Sequence, residues 1–484
     1  MLIRFIYKEL LDHLLSLRFA IACILCFIVI LTSLYVRCGE YTQNLDDHSE
    51  DVVAETNRLK GMRHPWRLER EGVNVNQPPL ALSVFVQGSG SGSVSAHVSA
   101  REEPQLLTAD TTNPTTLLFP PTDLVSFVGI IMSLLAIVFG YDAISGEKER
   151  GTLRLVLSYS VPRDTVLLGK WIGGYIALVV PFLLAVVSGA MIVLVQPKID
   201  LSAGDWGRLT LLTVLSLVYI GAMYAASVWV SCLTSRSSTS VMILVTVWMV
   251  LVLAVPNLAP YFARAVLPPP NPAELVKAKE EKRKEIQDEI NRDMQTYDKE
   301  HFQAGTPWYR QVSWRDPEGR RKGVLRRRRE VEVEYDAAIE RIRAMDNLNS
   351  EYANRTSIQA GLGRWMGRVS PFACFASAAG ELTGTGASGR RRLVSLIRQY
   401  QETLATYLHD EMVTMMDYEI EHGERAPRWS DPKNRKKPIP MFAYSPPPPG
   451  EYLSAAAVDM VILAACVVLF FMLSYMAFLR YDVR

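Results

Sequence analysis

The sequence lacks several features that would assign it to common classes of soluble protein. Its 52 Lys and Arg residues nearly balance 50 Asp and Glu residues, so it has no basic surplus of the kind that nucleic-acid-binding proteins carry. Its seven histidines are scattered and form no His-Glu-x-x-His or paired Cys/His motif, so we expect no metal and no cofactor in this chain. Only 21% of the residues are charged and 49% are hydrophobic, which excludes a disordered chain.

The hydrophobic residues are concentrated in six long runs. A helix that crosses a bilayer needs about 20 predominantly apolar residues. The runs predict six transmembrane helices at 19–36, 124–141, 171–195, 209–230, 238–256 and 455–479. The first run predicts a membrane anchor, because no Ala-x-Ala cleavage site follows it.

The positions of Lys and Arg predict the orientation of these spans. Arg4, Lys8 and Arg18 precede the first span, several basic residues lie between the second and third, and Arg480 follows the sixth. Basic residues near span ends favour the cytoplasmic side, so both termini are expected there. The opposite side then holds two long loops, 37–123 and 257–454.

Cysteines are few and their pattern leaves one question open. Cys23 and Cys26 have the spacing of a redox motif but lie inside an apolar span, where cysteine behaves as a small hydrophobic residue. Cys38 and Cys374 are both expected on the side opposite the cytoplasm. Whether they form a disulfide does not follow from the sequence.

The segments outside the spans are expected to be mainly helical. Residues 1–18 are amphipathic and predict an interfacial helix rather than a simple extension of the first span. In the first long loop, apolar residues alternate at 82–86 and 94–98 around the Gly/Ser run 88–92, which predicts a β-hairpin. The overall prediction is an all-α membrane protein with a small β-containing loop and a large helical domain between spans five and six.

The second long loop, 257–454, shows three apolar stripes at helical spacing, and two of these helices are expected to pair as an antiparallel hairpin. The stripes are Ile286, Ile290, Met294 and Tyr297; Val331, Tyr335, Ala338, Ile342 and Met345; Leu393, Ile397, Tyr400, Leu404, Tyr407 and Leu408.

The basic cluster Arg326–Arg329 has two interpretations: a surface for an acidic partner, or a helix face paired with neighbouring glutamates. Asp459, near one end of the last span, either lines a pathway or is simply exposed.

The most informative stretch is the segment 142–170, which we call the coupling segment. It has the sequence DAISGEKERGTLRLVLSYSVPRDTVLLGK. Leu153, Val156 and Leu157 form an apolar stripe among charged residues, and Pro162 ends this helix. A short helix of this kind either docks in the groove of a soluble partner or is a solvated connector.

This segment resembles the coupling loop of export-type (type 2) ABC transporter permeases. The similarity rests on Glu147, on Gly151-Thr152-Leu153, on Leu157-Ser158, on Pro162-Arg163 and on Gly169-Lys170, in that order. Within that superfamily the chain is most similar to the branch of multicopper-enzyme maturation and gliding-type permeases. The large loop between spans five and six, with Ser370-Pro371 and the stretch 382–386, is similar to the pattern of that branch.

The resemblance implies an inner-membrane permease subunit moved by a separate ATPase dimer, which binds ATP and Mg. The movement would drive export or mechanical work on an extracytoplasmic partner. The residues implied at the ATPase contact are Glu147, Lys148, Glu149, Arg150, Gly151, Thr152, Leu153 and Arg154, with Gly151 allowing close backbone approach. Arg163 and Lys170 mark the membrane boundary. Further implied partners are a second permease copy or paralogue, a protein on the far side of the membrane, and membrane lipids.

The chain is not expected to hydrolyse ATP itself. A P-loop requires Gly-x-x-x-x-Gly-Lys-Ser/Thr, and Gly169-Lys170 is followed by Trp171 without the upstream glycine. An alternative function is a membrane-anchored scaffold or sensor, whose large loop binds a partner without transport.

Overall fold

The computed structural model describes residues 2–88, 94–108, 123–158, 162–429 and 431–480. The first helices and the strands are α1 (Leu2–Leu14), α2 (Leu17–Lys60), α3 (Pro65–Glu71), β1 (Val73–Asn76), β2 (Val94–Val98) and β3 (Gln105–Thr108). Helix α4 joins Leu124–Ser126, the π-helical turn Phe127–Met132 and Ser133–Gly140, and it is followed by α5 (Ser145–Arg150), α6 (Thr152–Ser158), α7 (Arg163–Val195) and α8 (Ala203–Leu233). Helix α9 (Ser237–Val266) contains the π-helical turn Met249–Ala254. The remaining helices are α10 (Pro272–His301), α11 (Trp308–Gln311), α12 (Pro317–Gly367), α13 (Pro371–Thr383), α14 (Ala387–His422) and α15 (Pro449–Leu479).

Six of these helices, in the described part of the chain, are long and apolar enough to cross a membrane: α2, α4, α7, α8, α9 and α15. The predicted all-α membrane fold is therefore confirmed. Helix α8 is central, since it packs against α15, α4 and α13 and 67% of its most apolar window is buried. Helices α9 and α15 bury only 17% of theirs, so most of their apolar surface faces outward, as lipid contact requires.

Helix α1 lies along the beginning of α7, at the end of the bundle that also holds the coupling segment. We call this the segment end. A side chain at Gly173 of α7 would come within 2.8 Å of the Glu9 Cβ, so the glycine permits this close approach. The opposite face of α1 carries exposed apolar residues, Ile3, Tyr7 and Leu11. An amphipathic helix with this distribution is suited to the membrane interface.

Helix α2 is much longer than the predicted span 19–36. It continues to Lys60, a length of 44 residues and about 66 Å. Charged residues after Arg37 end the membrane-spanning part but do not break a helix, and the helix ends only at Gly61. At the far end, Glu55 accepts a hydrogen bond from the Asn74 backbone N–H (2.8 Å), so α2 braces strand β1.

The predicted strand at 82–86 is wrong. Residues Ala81–Val84 form a 3₁₀ helix, and β2 instead pairs with β1 on one side and β3 on the other, in antiparallel register. Leu82, Val84, Phe85 and Val86 are all buried in the core of the bundle, beside the start of α4. The alternating pattern therefore marked a turn in which these four apolar side chains are buried, rather than a strand with one exposed face. The tip, 89–92, lies outside the described residues.

The loop domain, formed by α3, the β-sheet, α10–α12, α14 and the segment that follows α14, packs at the opposite end of the bundle, the domain end. The predicted hairpin exists as α10 against α12, where Ile286, Ile290 and Met294 meet Val333 and Ala337. The third stripe, on α14, packs with α12 and the sheet.

The basic cluster 326–329 forms ion pairs within the loop domain, in line with its interpretation as a paired helix face. Arg326 pairs with Asp298 of α10 (3.2 Å) and Glu330, while Arg328 pairs with Asp417 of α14 (2.7 Å). These pairs join three helices, so the cluster serves the cohesion of the domain.

Candidate functional site

The coupling segment folds as two short helices, α5 and α6, joined at Gly151, rather than as the one short helix that the sequence predicted. Gly151 has φ of 75°, the left-handed conformation that ends α5, and its N–H donates to the Lys148 carbonyl (3.2 Å). Space around this residue is open, with no atom within 4 Å of a hypothetical Cβ. Glycine is therefore required by the turn itself. Residues 159–161, between α6 and Pro162, lie outside the description.

One side of the segment is fixed to the bundle by an ion-pair network. Lys170 of α7 is only 5% exposed, and its Nζ contacts the carboxylates of Glu147 (2.7 Å) and Glu9 (2.8 Å). The lysine thereby joins α5, α7 and α1. A buried ammonium held by two carboxylates fixes the geometry of the three helices, because removing the lysine leaves two carboxylates without a counter-charge.

The next two residues of α5 fix it to the turn between α8 and α9. The Lys148 ammonium donates to the Cys232 and Thr234 carbonyls, the latter at 3.1 Å. The Glu149 carboxylate accepts from the Ser237 backbone N–H (3.0 Å), at the first turn of α9. Movement of α5 would therefore act directly on the start of α9.

The other side of the segment faces away from the bundle. Glu149, Arg150, Gly151, Thr152 and Arg154 are exposed. Leu155 is 62% exposed, whereas Leu153 is fully buried. The apolar stripe predicted for docking therefore turns inward at Leu153, and the side chain of Leu157 is not described. Leu155, which sequence reasoning missed because it lies outside the stripe, is the apolar residue on the exposed face.

Residues flanking the segment tie it to the ends of two spans. Arg18, in the first turns of α2, binds Asp142 through two hydrogen bonds of 3.0 and 2.8 Å. Arg163, at the start of α7, donates to the Leu479 carbonyl at the end of α15 (2.9 Å). Sequence reasoning treated Arg163 and Lys170 as boundary markers. Lys170 contacts Glu9, which lies 161 residues away, and Glu147 on another helix. Arg163 contacts Leu479 on another helix. The spacing of residues in the sequence therefore gave no signal for these contacts.

A polar cavity of about 600 Å³ lies in the loop domain. It is lined by Arg101, Lys279, Arg283 and Arg341, together with Glu103, which pairs with Lys279 (2.9 Å). Burial and the neighbouring Arg101 and Arg283 lower the pKa of Arg341. Among the described residues, no group of three His, Cys, Asp or Glu side chains is placed to hold a metal ion.

All six cysteines are free thiols in the structure, and both Cys38 and Cys374 are buried. The disulfide left open by the sequence is therefore not formed here. Asp459, for which exposure was one interpretation, is 3% exposed; its carboxylate accepts from Arg368 Nε (2.6 Å) and Ser377 Oγ (2.7 Å).

Together these features define a class of protein: a multi-pass helical membrane protein with a rigidly held, partly exposed helical segment between its second and third spans. A family model described as "ABC-2 family transporter protein" matches residues 5–483. The chain therefore belongs to the ABC-2 family of transporter proteins.

Two curated relatives support this assignment. The chain is similar to the probable ABC transporter permease protein NosY of Pseudomonas aeruginosa, with 35% identity over 108 residues. The similarity to the protein of the same name from Stutzerimonas stutzeri is also 35% over 108 residues. In each case the match covers 22% of this chain and 39% of the relative.

Proposed function

We propose that this chain couples ATP hydrolysis by a separate ATPase dimer, which binds ATP and Mg, to movement of its spans and loop domain. The observation that carries the proposal is the two-sided character of the α5–α6 segment. One side is held by Lys170 and by the turn before α9, and the other exposes Arg150, Thr152 and Leu155. A helix that is fixed on one side and open on the other is suited to receive force from a docked partner.

The ATPase would contact the exposed residues Glu149, Arg150, Gly151, Thr152, Arg154 and Leu155. Glu147, Lys148 and Leu153, also implied by the resemblance, would act behind that surface, because their side chains contact the rest of this chain or are buried. This proposal places the segment end, with both termini, on the cytoplasmic face of a cell inner membrane. Because an ATPase dimer offers two equivalent docking grooves, a second permease copy or paralogue would complete the complex.

The path of α2 favours mechanical work on a partner at the domain end. Its first turns bind Asp142, three residues before α5, through Arg18 (2.8 Å). Its last turns contact the sheet, where Arg58 donates to the Gly72 carbonyl (2.7 Å). A continuous helix of 44 residues thus connects the coupling segment with the loop domain. Tilting α2 at one end would displace the sheet at the other.

The test uses the complex purified from its native membrane. Leu155→Asp is expected to reduce the co-purifying ATPase at least about ten-fold, equivalent to about 1.4 kcal/mol, because a charge replaces the apolar contact. The matched control is Leu453→Asp, which changes a 47% exposed leucine at the domain end of α15.

The proposal fails if Leu155→Asp retains the ATPase at the level of Leu453→Asp. A scaffold or sensor without transport would be supported instead if no ATPase accompanies the unmodified chain.

A further inference from the structure

A second cavity, of about 420 Å³, lies at the domain end of the bundle. It is bordered by the end of α9, the end of α12, α13 and α15. Small side chains dominate its wall: Ala259, Ala263, Ala360, Gly363, Gly367 and Ala373. A Cβ on Gly363 would lie 3.4 Å from the Ala263 Cβ, so the two helices are in close contact beside the cavity. Its wall is therefore mainly apolar.

One buried polar group on the wall has no partner. Gln359 is 8% exposed, and its Nε2 makes no hydrogen bond to any described residue. Burying such a donor without an acceptor is unfavourable. Asp459, in contrast, is satisfied by Arg368 and Ser377. Gln359 lines the cavity, so its wall carries one amide donor without an acceptor among the described residues.

Two arginines lie on the same pair of helices. Arg264 and Arg364 line the cavity, both are exposed, and neither has a carboxylate partner among the described residues. Because Gly363 lies against Ala263, the next residue on each helix is at about the same level. Two unpaired guanidinium groups beside an apolar cavity suit a phosphate.

The surface around the arginines is apolar and aromatic. Tyr261 and Phe262 of α9 and Ile358 and Trp365 of α12 are all more than half exposed. Aromatic side chains of this kind are enriched where a helix passes through the headgroup region of a bilayer. This surface is suited to contact with the headgroup region of a bilayer.

We propose that this cavity binds an anionic phospholipid from the leaflet at the domain end. An acyl chain occupies the wall of small residues, Arg264 and Arg364 bind the phosphate, and an ester oxygen accepts from Gln359. A second copy of the chain does not suit this surface, because symmetric packing would place Arg264 and Arg364 against the same two arginines of the other copy. A soluble anion would leave the apolar wall unused.

The experiment reconstitutes the full chain in phosphatidylcholine vesicles that contain a photoactivatable phosphatidylglycerol, and maps the lipid adducts by mass spectrometry. Adducts are expected on peptides 256–264 and 356–368, at least about ten-fold above those from a photoactivatable phosphatidylcholine at the same level, equivalent to about 1.4 kcal/mol. Because this comparison uses the unmodified chain, it does not depend on the folding of any variant.

Two kinds of variant distinguish the site of the acyl chain from the site of the lipid headgroup. Ala360→Phe fills the cavity and should abolish adducts from both lipids, whereas Ala353→Phe, an exposed position on the same helix outside the cavity, should not. Arg264→Gln with Arg364→Gln should remove the preference for phosphatidylglycerol. The control for charge is Arg315→Gln with Arg321→Gln, near the start of α12 and about 60 Å away along the helix axis.

Equal labelling by the two lipids would overturn the proposal. It would also be overturned if Ala360→Phe kept full labelling, or if a photoreactive amino acid at position 360 cross-linked mainly to a second copy of the chain.

Discussion

At the scale of single residues, Lys170 is the side chain on which the coupling segment depends most. It is 5% exposed and contacts carboxylates from two other helices, Glu9 and Glu147. Sequence reasoning recognised Glu147 through the resemblance, yet gave no partner for it. A buried charge requires a counter-charge, but only the tertiary structure supplies its identity.

We predict that Lys170→Met destabilises the chain by about 3 kcal/mol, because two carboxylates then lie half-buried without a cation. Thermal unfolding in detergent would measure this loss. The triple variant Glu9→Gln, Glu147→Gln, Lys170→Met should recover most of the stability. If Lys170→Met unfolds at the same temperature as the unmodified chain, the network has no structural role.

Gly151 gives a second prediction at this scale. Its φ of 75° is costly for any residue with a Cβ, although space around it is open. Gly151→Ala should therefore lower stability by about 1 kcal/mol through backbone strain alone. Gly207→Ala on α8, where space is equally open and φ is not positive, is the matched control and should keep or raise the unfolding temperature, because alanine favours a helix.

At the scale of elements, α1 is positioned by its close packing on α7 at Gly173. The amphipathic pattern of residues 1–18 predicted a helix for the interface, and α1 spans Leu2–Leu14. The pattern did not indicate that one face would pack so closely on α7. A glycine inside a span allows any of several helices to pack closely against it, and only the folded bundle shows which helix does so.

We predict that Gly173→Leu displaces α1, since even a Cβ would lie 2.8 Å from that of Glu9. Hydrogen exchange of residues 2–14 should accelerate about ten-fold or more, equivalent to about 1.4 kcal/mol of lost docking energy. Gly207→Leu, which has no atom within 4 Å of its hypothetical Cβ, should leave exchange in α1 unchanged. Unchanged exchange in Gly173→Leu would contradict the packing described here.

At the scale of the whole molecule, the bundle and the loop domain are joined where α12 ends and α13 begins. Arg368 binds Asp459 of α15, and the Ser370 hydroxyl donates to the Leu251 carbonyl of α9. Helix α13 then packs against α15 and α8. Rearrangement of the spans would therefore reach the domain through α13 as well as through α2.

We predict that Asp459→Asn loosens this junction, because a neutral amide binds the buried arginine less strongly than a carboxylate does. Hydrogen exchange in α13 (Pro371–Thr383) should accelerate, while exchange in α5 and α6 stays unchanged. Asp200→Asn, on the short connection between α7 and α8, provides a control for the change in charge. Equal protection of α13 in all three proteins would show that the ion pair does not hold the junction.

The sequence by itself determined the membrane class, the six spans, the apolar stripes of the loop domain and the helical character of the segment between spans two and three. These features depend on local hydrophobic periodicity and length, which the bilayer and the helix impose on any chain. Only the tertiary structure decided that Leu153 turns inward while Leu155 is exposed, that Lys170 rather than a partner binds Glu147, and that residues 82–86 fold as a buried turn. Each of these outcomes depends on which distant group satisfies a buried charge or covers an apolar surface, and such partners are brought together only when the helices pack.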